Sequence, residues 1–342
     1  MRVATYYNNN DIRLEERPIP PIGEGEVLLK INATGICGSD LMEWYRVGHG
    51  PRVLGHEVAG EIVRVGKGVT QHKEGGRIAA SHHVPCYDCH YCRLGHHTLC
   101  ETLRTTHFDP GGFAQYVRLP AINVQHGIYP LPDDLSFEEA TLIEPLACTV
   151  RAQNKANIRA GQTVLIIGCG IAGLLNLKLA RARGAARIIA VDLSDFRLEM
   201  AKKFGADALY KASEDIPSSV RAVNEGRLAD VAIVCTEAKQ GIETALASSE
   251  RGGTVLFFAL SNPQMIIPMP MYDLFWQKGL TLMSSYAASP DDHRESLRLI
   301  QSRQVAVKPL ISHHLGLSEI ATGFQIALKA QDSIKIVLDP AR

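Results

Sequence analysis

Residues 163–173 read Thr-Val-Leu-Ile-Ile-Gly-Cys-Gly-Ile-Ala-Gly. An apolar run of strand length enters Gly168-x-Gly170-x-x-Gly173 directly, and a helical stretch, IAGLLNLKLARARG (171–184), leaves it. A glycine triplet alone carries little information; between a strand and a helix each glycine acquires a task. Gly168 permits the tight turn, Gly170 lets backbone approach a pyrophosphate, and Gly173 lets helix pack on strand. The helix then opens at Ile171 and Ala172, offering free N–H groups and a positive dipole end to phosphates. Asp192 ends the next apolar run, RIIAVD, nineteen residues after Gly173. A carboxylate there can accept hydrogen bonds from ribose hydroxyls and repel a 2′-phosphate, which favours NAD over NADP. Arg197, five residues on, could flank the adenosine or accept that phosphate, so it works against the preference. Thr236 in ADVAIVCTEA and Leu260 at the end of GTVLFFAL complete the candidate cofactor set.

Outward from this turn, strand-like and helix-like segments alternate. RIIAVD is followed by FRLEMAKKFG, ADVAIVCTEA by a helical stretch near 239–249, then come GTVLFFAL and LTLMSSY. Strands alternating with helices imply a doubly wound parallel sheet, and strands that are apolar throughout fit burial on both faces. Before about residue 148 the texture differs: VLLKINATGI and EVAGEIVRVGKGV read as strands between glycine turns, without long helical periodicity. One helix is expected over SFEEATLIEPLACTVRAQNKA (136–156), with Ser136 as N-cap and Glu139 three residues later. Another opens at Ser289-Pro290-Asp291-Asp292, and the chain ends on a strand, SIKIVLD.

At 342 residues the chain is long enough for two domains. Its 36 basic and 36 acidic residues cancel, leaving no electrostatic footprint for nucleic acid or acidic membrane. The N-terminus MRVATYYNNN has no signal-like apolar run, and no stretch approaches the roughly 20 residues that span a bilayer. A cytoplasmic location is the expectation.

Eight cysteines in such a chain point to metal before disulfides. Cys86, Cys89, Cys92 and Cys100 fall in one loop, CYDCHYCRLGHHTLC. Four thiolates suit a closed tetrahedral zinc with no position for substrate, so this site reads as structural. An iron–sulfur cluster is the alternative, but there the fourth cysteine follows closely and precedes proline, whereas Cys100 follows a seven-residue gap and precedes Glu101. The nearby His82, His83, His90, His96 and His97 read as surface or loop residues. A second candidate site is dispersed: Cys37 in GICGSD, His56 and Glu57 in LGHEVAG, and Glu144 in IEPLA. None is diagnostic alone. Together they offer the sulfur, nitrogen and oxygen donors of a catalytic zinc that keeps one position open.

CGSD (37–40), GHEVAGEIVRVGKGV (55–69), the four-cysteine loop, GGFAQYV (111–117), EPLA (144–147) and the 168–173 glycines together resemble the zinc-containing medium-chain dehydrogenases, in the branch with sorbitol and threonine dehydrogenases. The resemblance spans essentially the whole chain. It implies an α/β protein: a GroES-like β-barrel catalytic domain over 1–148, completed by 288–342, with a Rossmann domain inserted at 149–287 and the active site in the cleft. It implies two zinc ions and NAD as cofactors, a small alcohol or ketone as substrate, and a homodimer or homotetramer. Cys37 and His56 match catalytic-zinc ligands; whether Glu57 or Glu144 completes the set stays open. Ser39 matches the hydroxyl that bonds the substrate oxygen and starts proton transfer.

The resemblance also has gaps. Met42 stands where a histidine is usual five residues after the zinc cysteine, and Arg151 where EPLSVGxH has its histidine. Both put the usual proton route and either branch substrate in doubt. Met42, Tyr45, Arg46, Glu144, Arg151 and Tyr286 are the candidate substrate residues, and their polarity favours a polyol, cyclitol, sugar alcohol or amino alcohol. A small-alcohol or formaldehyde dehydrogenase, and a dinucleotide-binding protein without turnover, are the competing readings.

Overall fold

A computed structural model describes residues 1–342, apart from the side chain of His49. The chain divides into two compact units: Met1–Ala147 together with Ala287–Arg342, and Cys148–Tyr286.

The first unit is built mainly from antiparallel strands: β1 (Arg2–Asn8), β2 (Asp11–Glu16), β3 (Val27–Gly35), β4 (Arg52–Val53), β5 (Glu57–Val65), β6 (Arg77–Ala80), β7 (Tyr116–Leu119) and β8 (Ile128–Pro130). The second holds β9 (Thr163–Ile167), β10 (Arg187–Asp192), β11 (Ala208–Lys211), β12 (Ala229–Val234), β13 (Ser249–Phe257) and β14 (Thr281–Ser284). The chain then returns to the first with β15 (Ile311–Gly316) and β16 (Lys335–Asp339).

In the second unit the six strands run in the order β11-β10-β9-β12-β13-β14, all neighbours parallel. Every residue of β9 is buried, as the unbroken apolar run requires of a strand with helices on both faces. Leu165, Ile167, Ile189, Val191, Val234, Ile242 and Leu246 form one core there. The order reverses between β10 and β12 around β9, and in such sheets the ligand crevice lies at that switch point. The 168–173 glycines sit there. Gly168 has φ +91°, a conformation that an L side chain enters only under strain. A Cβ on Gly173 would run into the Gly168 carbonyl oxygen.

In the first unit a seven-stranded sheet runs β15-β16-β3-β5-β6-β8, with β7 also pairing β3; a smaller sheet runs β2-β1-β4. Two cores fill it. Val27, Leu29, Ile31, Val58, Ile62 and Ile78 pack on one side, and Val3, Tyr6, Phe113, Phe324, Ile336 and Leu338 on the other. The last strand, β16, pairs antiparallel to β3 with Val337 opposite Gly35. The chain's end is thereby brought beside its first long strand.

The single helix expected at 136–156 is two: Phe137–Ala140 and Ile143–Ala156. Ser136 does cap the first, its Oγ accepting from the Glu139 N–H at 3.2 Å. Pro145 explains the break. It has no N–H to donate to the Thr141 carbonyl, and its ring crowds that carbonyl, so it is tolerated only in the first turn of a new helix. The helix opening at Ser289 spans Pro290–Gln301 with a reciprocal cap between Ser289 and Asp292. No helix among the described residues is long and apolar enough to cross a membrane.

Candidate active site

Cys37 follows β3 and enters a short turn, Gly38–Leu41. That turn is held by Asp40, which is wholly buried. Its Oδ2 accepts from the Cys37 N–H at 3.1 Å, while its Oδ1 lies 3.6 Å from His56 Nδ1 and 3.5 Å from Arg46 Nη2. Asp40 therefore does more than brace a loop. It positions the thiol and faces one imidazole nitrogen, which leaves the other, Nε2, to bind a metal. His56 immediately precedes β5, and Glu57 is the first residue of that strand. Donor atoms of Cys37, His56 and Glu57 lie within 4.8 Å of one another.

The Glu57 carboxylate is buried and divided in function. Oε2 accepts from Lys335 Nζ, which also donates to the Ile36 carbonyl at 2.9 Å. Oε1 is buried with no hydrogen-bond partner. The pair reaches across Gly35, which lies opposite both Glu57 on β5 and Val337 on β16. A Cβ at Gly35 would strike both the carboxylate and the Lys335 side chain. Nothing in the sequence spacing links residue 57 to residue 335, 278 positions apart, and no local motif marks Lys335.

Burial alone would depress the basicity of His56. Asp40, Cys37 and Glu144 outweigh it and push the imidazole pKa up to about 10. So much negative charge around one buried histidine is what a divalent cation would relieve. The soft sulfur, imidazole and orphaned carboxylate oxygen fit zinc with an open position. Glu144 lies in the first turn of the Ile143–Ala156 helix. Its influence on His56 places it near this set.

Around these donors stand further side chains. Ser39 Oγ lies 3.4 Å from Cys37 Sγ and receives Arg46 Nη2 at 3.0 Å. Met42 and Tyr45 are half-buried in the same segment, Tyr45 with its ring 4.8 Å from the Arg46 guanidinium. Arg151 and Tyr286 belong to the other unit. His82 and His83 lie in the loop after β6, half-buried rather than fully at the surface. The His82 ring packs 4.9 Å from His56 and 3.7 Å from His83, and burial holds His82 well below the usual histidine range. His83 Nδ1 bonds the Thr106 carbonyl at 2.9 Å. His90 and His96 are exposed.

The four-cysteine loop is a separate centre. The Cys86, Cys89, Cys92 and Cys100 sulfurs also converge within 4.8 Å. The Cys86 and Cys100 sulfurs are 3.6 Å apart, far too long for a disulfide. Burial opposes ionisation here, but N–H groups of Cys86 and Leu103 draw the Cys100 thiol down to about 6, a poise suited to thiolate ligation.

At the glycine turn, Asp192 Oδ2 accepts from the Cys169 N–H at 2.6 Å and Oδ1 from Ser194 N–H at 2.9 Å. Arg197 lies 4.0 Å from that carboxylate and beside Gly170. Thr236 flanks Gly168. Leu260 is exposed beyond β13. Ile171 and Ala172 begin the Ile171–Ala182 helix, whose N-cap Gly170 provides no side-chain cap.

The alcohol dehydrogenase GroES-like domain family matches residues 23–133, and the zinc-binding dehydrogenase family matches residues 172–302. Sorbitol dehydrogenase of Gallus gallus is 33% identical over 339 residues, covering 96% of this chain and 93% of its own length. The chain belongs to the zinc-binding alcohol dehydrogenases, in their sorbitol dehydrogenase branch. D-xylulose reductase A of Aspergillus oryzae is 33% identical over 341 residues, with 96% of this chain and 93% of that protein covered. Among solved structures, galactitol-1-phosphate dehydrogenase of Escherichia coli superposes with a TM-score of 0.87 at 28% identity, covering 99% of this chain and 100% of its own. As a zinc-binding dehydrogenase the chain is an oxidoreductase acting on alcohols with zinc and a nicotinamide dinucleotide.

The buried Glu57–Lys335 pair makes a first test. In Lys335→Met, Glu57 keeps its charge and loses its partner, which costs about 3–5 kcal/mol for a buried pair. Denaturant unfolding of the zinc-free variant is expected to show a loss of that size, and added zinc to recover part of it. Unchanged zinc-free stability would show that the pair does not govern the site.

Proposed function

We propose that this chain oxidises a secondary hydroxyl of a polyol or related polar alcohol to a ketone, with NAD as acceptor, at a zinc held by Cys37, His56 and an acidic oxygen. The observation that carries this reading is the convergence of the Cys37, His56 and Glu57 donors around an unpartnered carboxylate oxygen. Because Lys335 engages one oxygen of Glu57, the other remains available for the metal; Glu144 stands nearby as a second acid.

Zinc, when bound, supplies Lewis acidity to the alcohol oxygen, and NAD supplies the acceptor for the hydride. The balance is a secondary alcohol plus NAD giving a ketone, NADH and a proton. The side chains do the rest. Asp40 holds the Cys37 backbone N–H and faces His56 Nδ1, so one buried carboxylate serves both ligands. Ser39 Oγ is the group that meets the substrate hydroxyl. Arg46 donates into that Oγ and fixes its orientation, but a guanidinium releases no proton in this pH range. With Met42 in place of the usual histidine, the proton passes from Ser39 to solvent without a side-chain imidazole at position 42. At the far end, Asp192 is tied to both Cys169 and Ser194, and its negative charge opposes a 2′-phosphate, which supports NAD over NADP.

The exposed apolar side chains Ile266, Tyr272 and Trp276, 82%, 64% and 74% accessible, lie on the segment between β13 and β14. They support assembly into a homodimer or homotetramer through that segment. Cysteines gathered at two metal-binding clusters support a reducing, cytoplasmic setting.

Zinc-loaded protein incubated with NAD and sorbitol, xylitol, 2,3-butanediol or ethanol should produce NADH absorbance with the polyhydroxy compounds foremost. Absence of turnover with every alcohol sinks the enzymatic reading in favour of a dinucleotide-binding protein, and ethanol as the best substrate replaces polyol with small alcohol. Asp192→Asn should narrow the NAD-to-NADP ratio of kcat/KM by about tenfold, since like-charge repulsion is removed; equal use of both by the parent enzyme ends the NAD assignment. Sedimentation velocity should give a dimer or tetramer, and a monomer at micromolar concentration refutes the assembly.

A further inference from the structure

Two arginines from different elements lie within electrostatic reach of one another and of Asp40, and one of them holds Ser39. Arg46 closes a short helix, Glu43–Arg46, and Arg52 stands on β4 opposite Tyr6. Arg46 is hydrogen-bonded through Nε and Nη2. Its Nε donates to the Ser39 carbonyl at 2.9 Å, its Nη2 to Ser39 Oγ at 3.0 Å, and its plane lies over Tyr45. Arg52 is half-buried, its Nε has no hydrogen-bond partner, and burial together with the adjacent Arg46 charge pushes its pKa down.

Taking a guanidinium out of water without acceptors is costly, and a second like charge adds to that cost. Asp40 is a carboxylate within electrostatic reach of Arg52, and its oxygens already face Cys37, His56 and Arg46. The Tyr45 hydroxyl offers only weak compensation. Arg52 therefore keeps a buried donor without an acceptor, within electrostatic reach of the arginine that holds Ser39 Oγ.

We propose that Arg46 and Arg52 together receive an anionic group carried by the substrate, a carboxylate or a phosphate, so that the alcohol oxidised here is an acidic or phosphorylated polyol. The inference rests on the reading of Ser39 as the residue that meets the reacting hydroxyl. Guanidinium forks match both anions in bidentate geometry. The separation is short: Arg46 Nη2 reaches Ser39 Oγ, which in turn lies 3.4 Å from Cys37 Sγ. The anion would thus sit within a few carbons of the carbon being oxidised. A neutral polyol leaves Arg52 without a partner, and a site with an unpaired buried donor discriminates against the ligand that fails to satisfy it.

The test compares matched sets with zinc- and NAD-loaded enzyme: xylitol, xylonate and xylitol 5-phosphate; sorbitol, gluconate and sorbitol 6-phosphate. At least one anionic member should exceed its neutral parent in kcat/KM by about ten- to a hundredfold, as charged hydrogen bonds provide, and which anion gains separates carboxylate from phosphate. Arg52→Gln should bring the anionic-to-neutral ratio close to one, and Arg52→Lys should retain part of it. Neutral polyols turned over with no anionic advantage overturn the inference and leave the polyol reading standing. If no alcohol is oxidised, the polyol reading fails, and thermal melting with inorganic phosphate or malonate decides the anion site alone. Either anion should raise the parent's melting temperature and leave Arg52→Gln unmoved. Equal response, or none in the parent, refutes the site. Should Arg52→Gln fail to fold, the parent's substrate ratio and its melting response still decide.

Discussion

A carboxylate and an ammonium meet out of water, across a glycine: Glu57 on β5 and Lys335 on β16, with Gly35 of β3 between them. Both side chains are about 1% exposed or less. Such a pair earns little net stability for itself, because desolvation offsets much of the attraction. Its consequence is positional. It fixes one oxygen of Glu57 and leaves the other orphaned beside Cys37 and His56, and it makes the last strand of the chain part of the site. The glycine at 35 follows from the same constraint, since any side chain there would occupy the path of the pair.

Charge compensation organises the rest of the unit. Asp40, buried and shared between Cys37, His56 and Arg46, couples the metal donors to the arginine that holds Ser39. Acid accumulates on the donor side and guanidinium on the Ser39 side. A divalent ion relieves the first excess. The second leaves the Arg52 Nε without an acceptor. The four-cysteine loop stands apart from this economy: its sulfurs bind one another's backbone N–H groups and pack against Leu103, so its metal stabilises local structure.

The dinucleotide turn follows a different logic, in which backbone does the work. Gly168 supplies a positive φ, Gly173 a close approach, and the uncapped helix start its N–H groups. Asp192 serves two ends there. It ties the turn through Cys169 and carries the charge that weighs against a 2′-phosphate. An amide there removes the charge and keeps one of the two acceptor oxygens.

Local signals determined much of this protein from sequence. The strand-turn-helix around 163–173, the alternation after it and the C-x2-C-x2-C-x7-C loop are short-range patterns, each imposed by backbone geometry or metal chemistry within a few residues. Ser136 as a cap was legible for the same reason; the break before Pro145 was equally local and was passed over. The dispersed donors Cys37, His56 and Glu57 could be gathered only through family resemblance, because no spacing rule joins them. Tertiary structure alone decided the Lys335 partner of Glu57 and the packing of His82 on His56. These contacts join strands and turns far apart in the chain, and long-range register is set by the packing of whole sheets, which no window of sequence encodes.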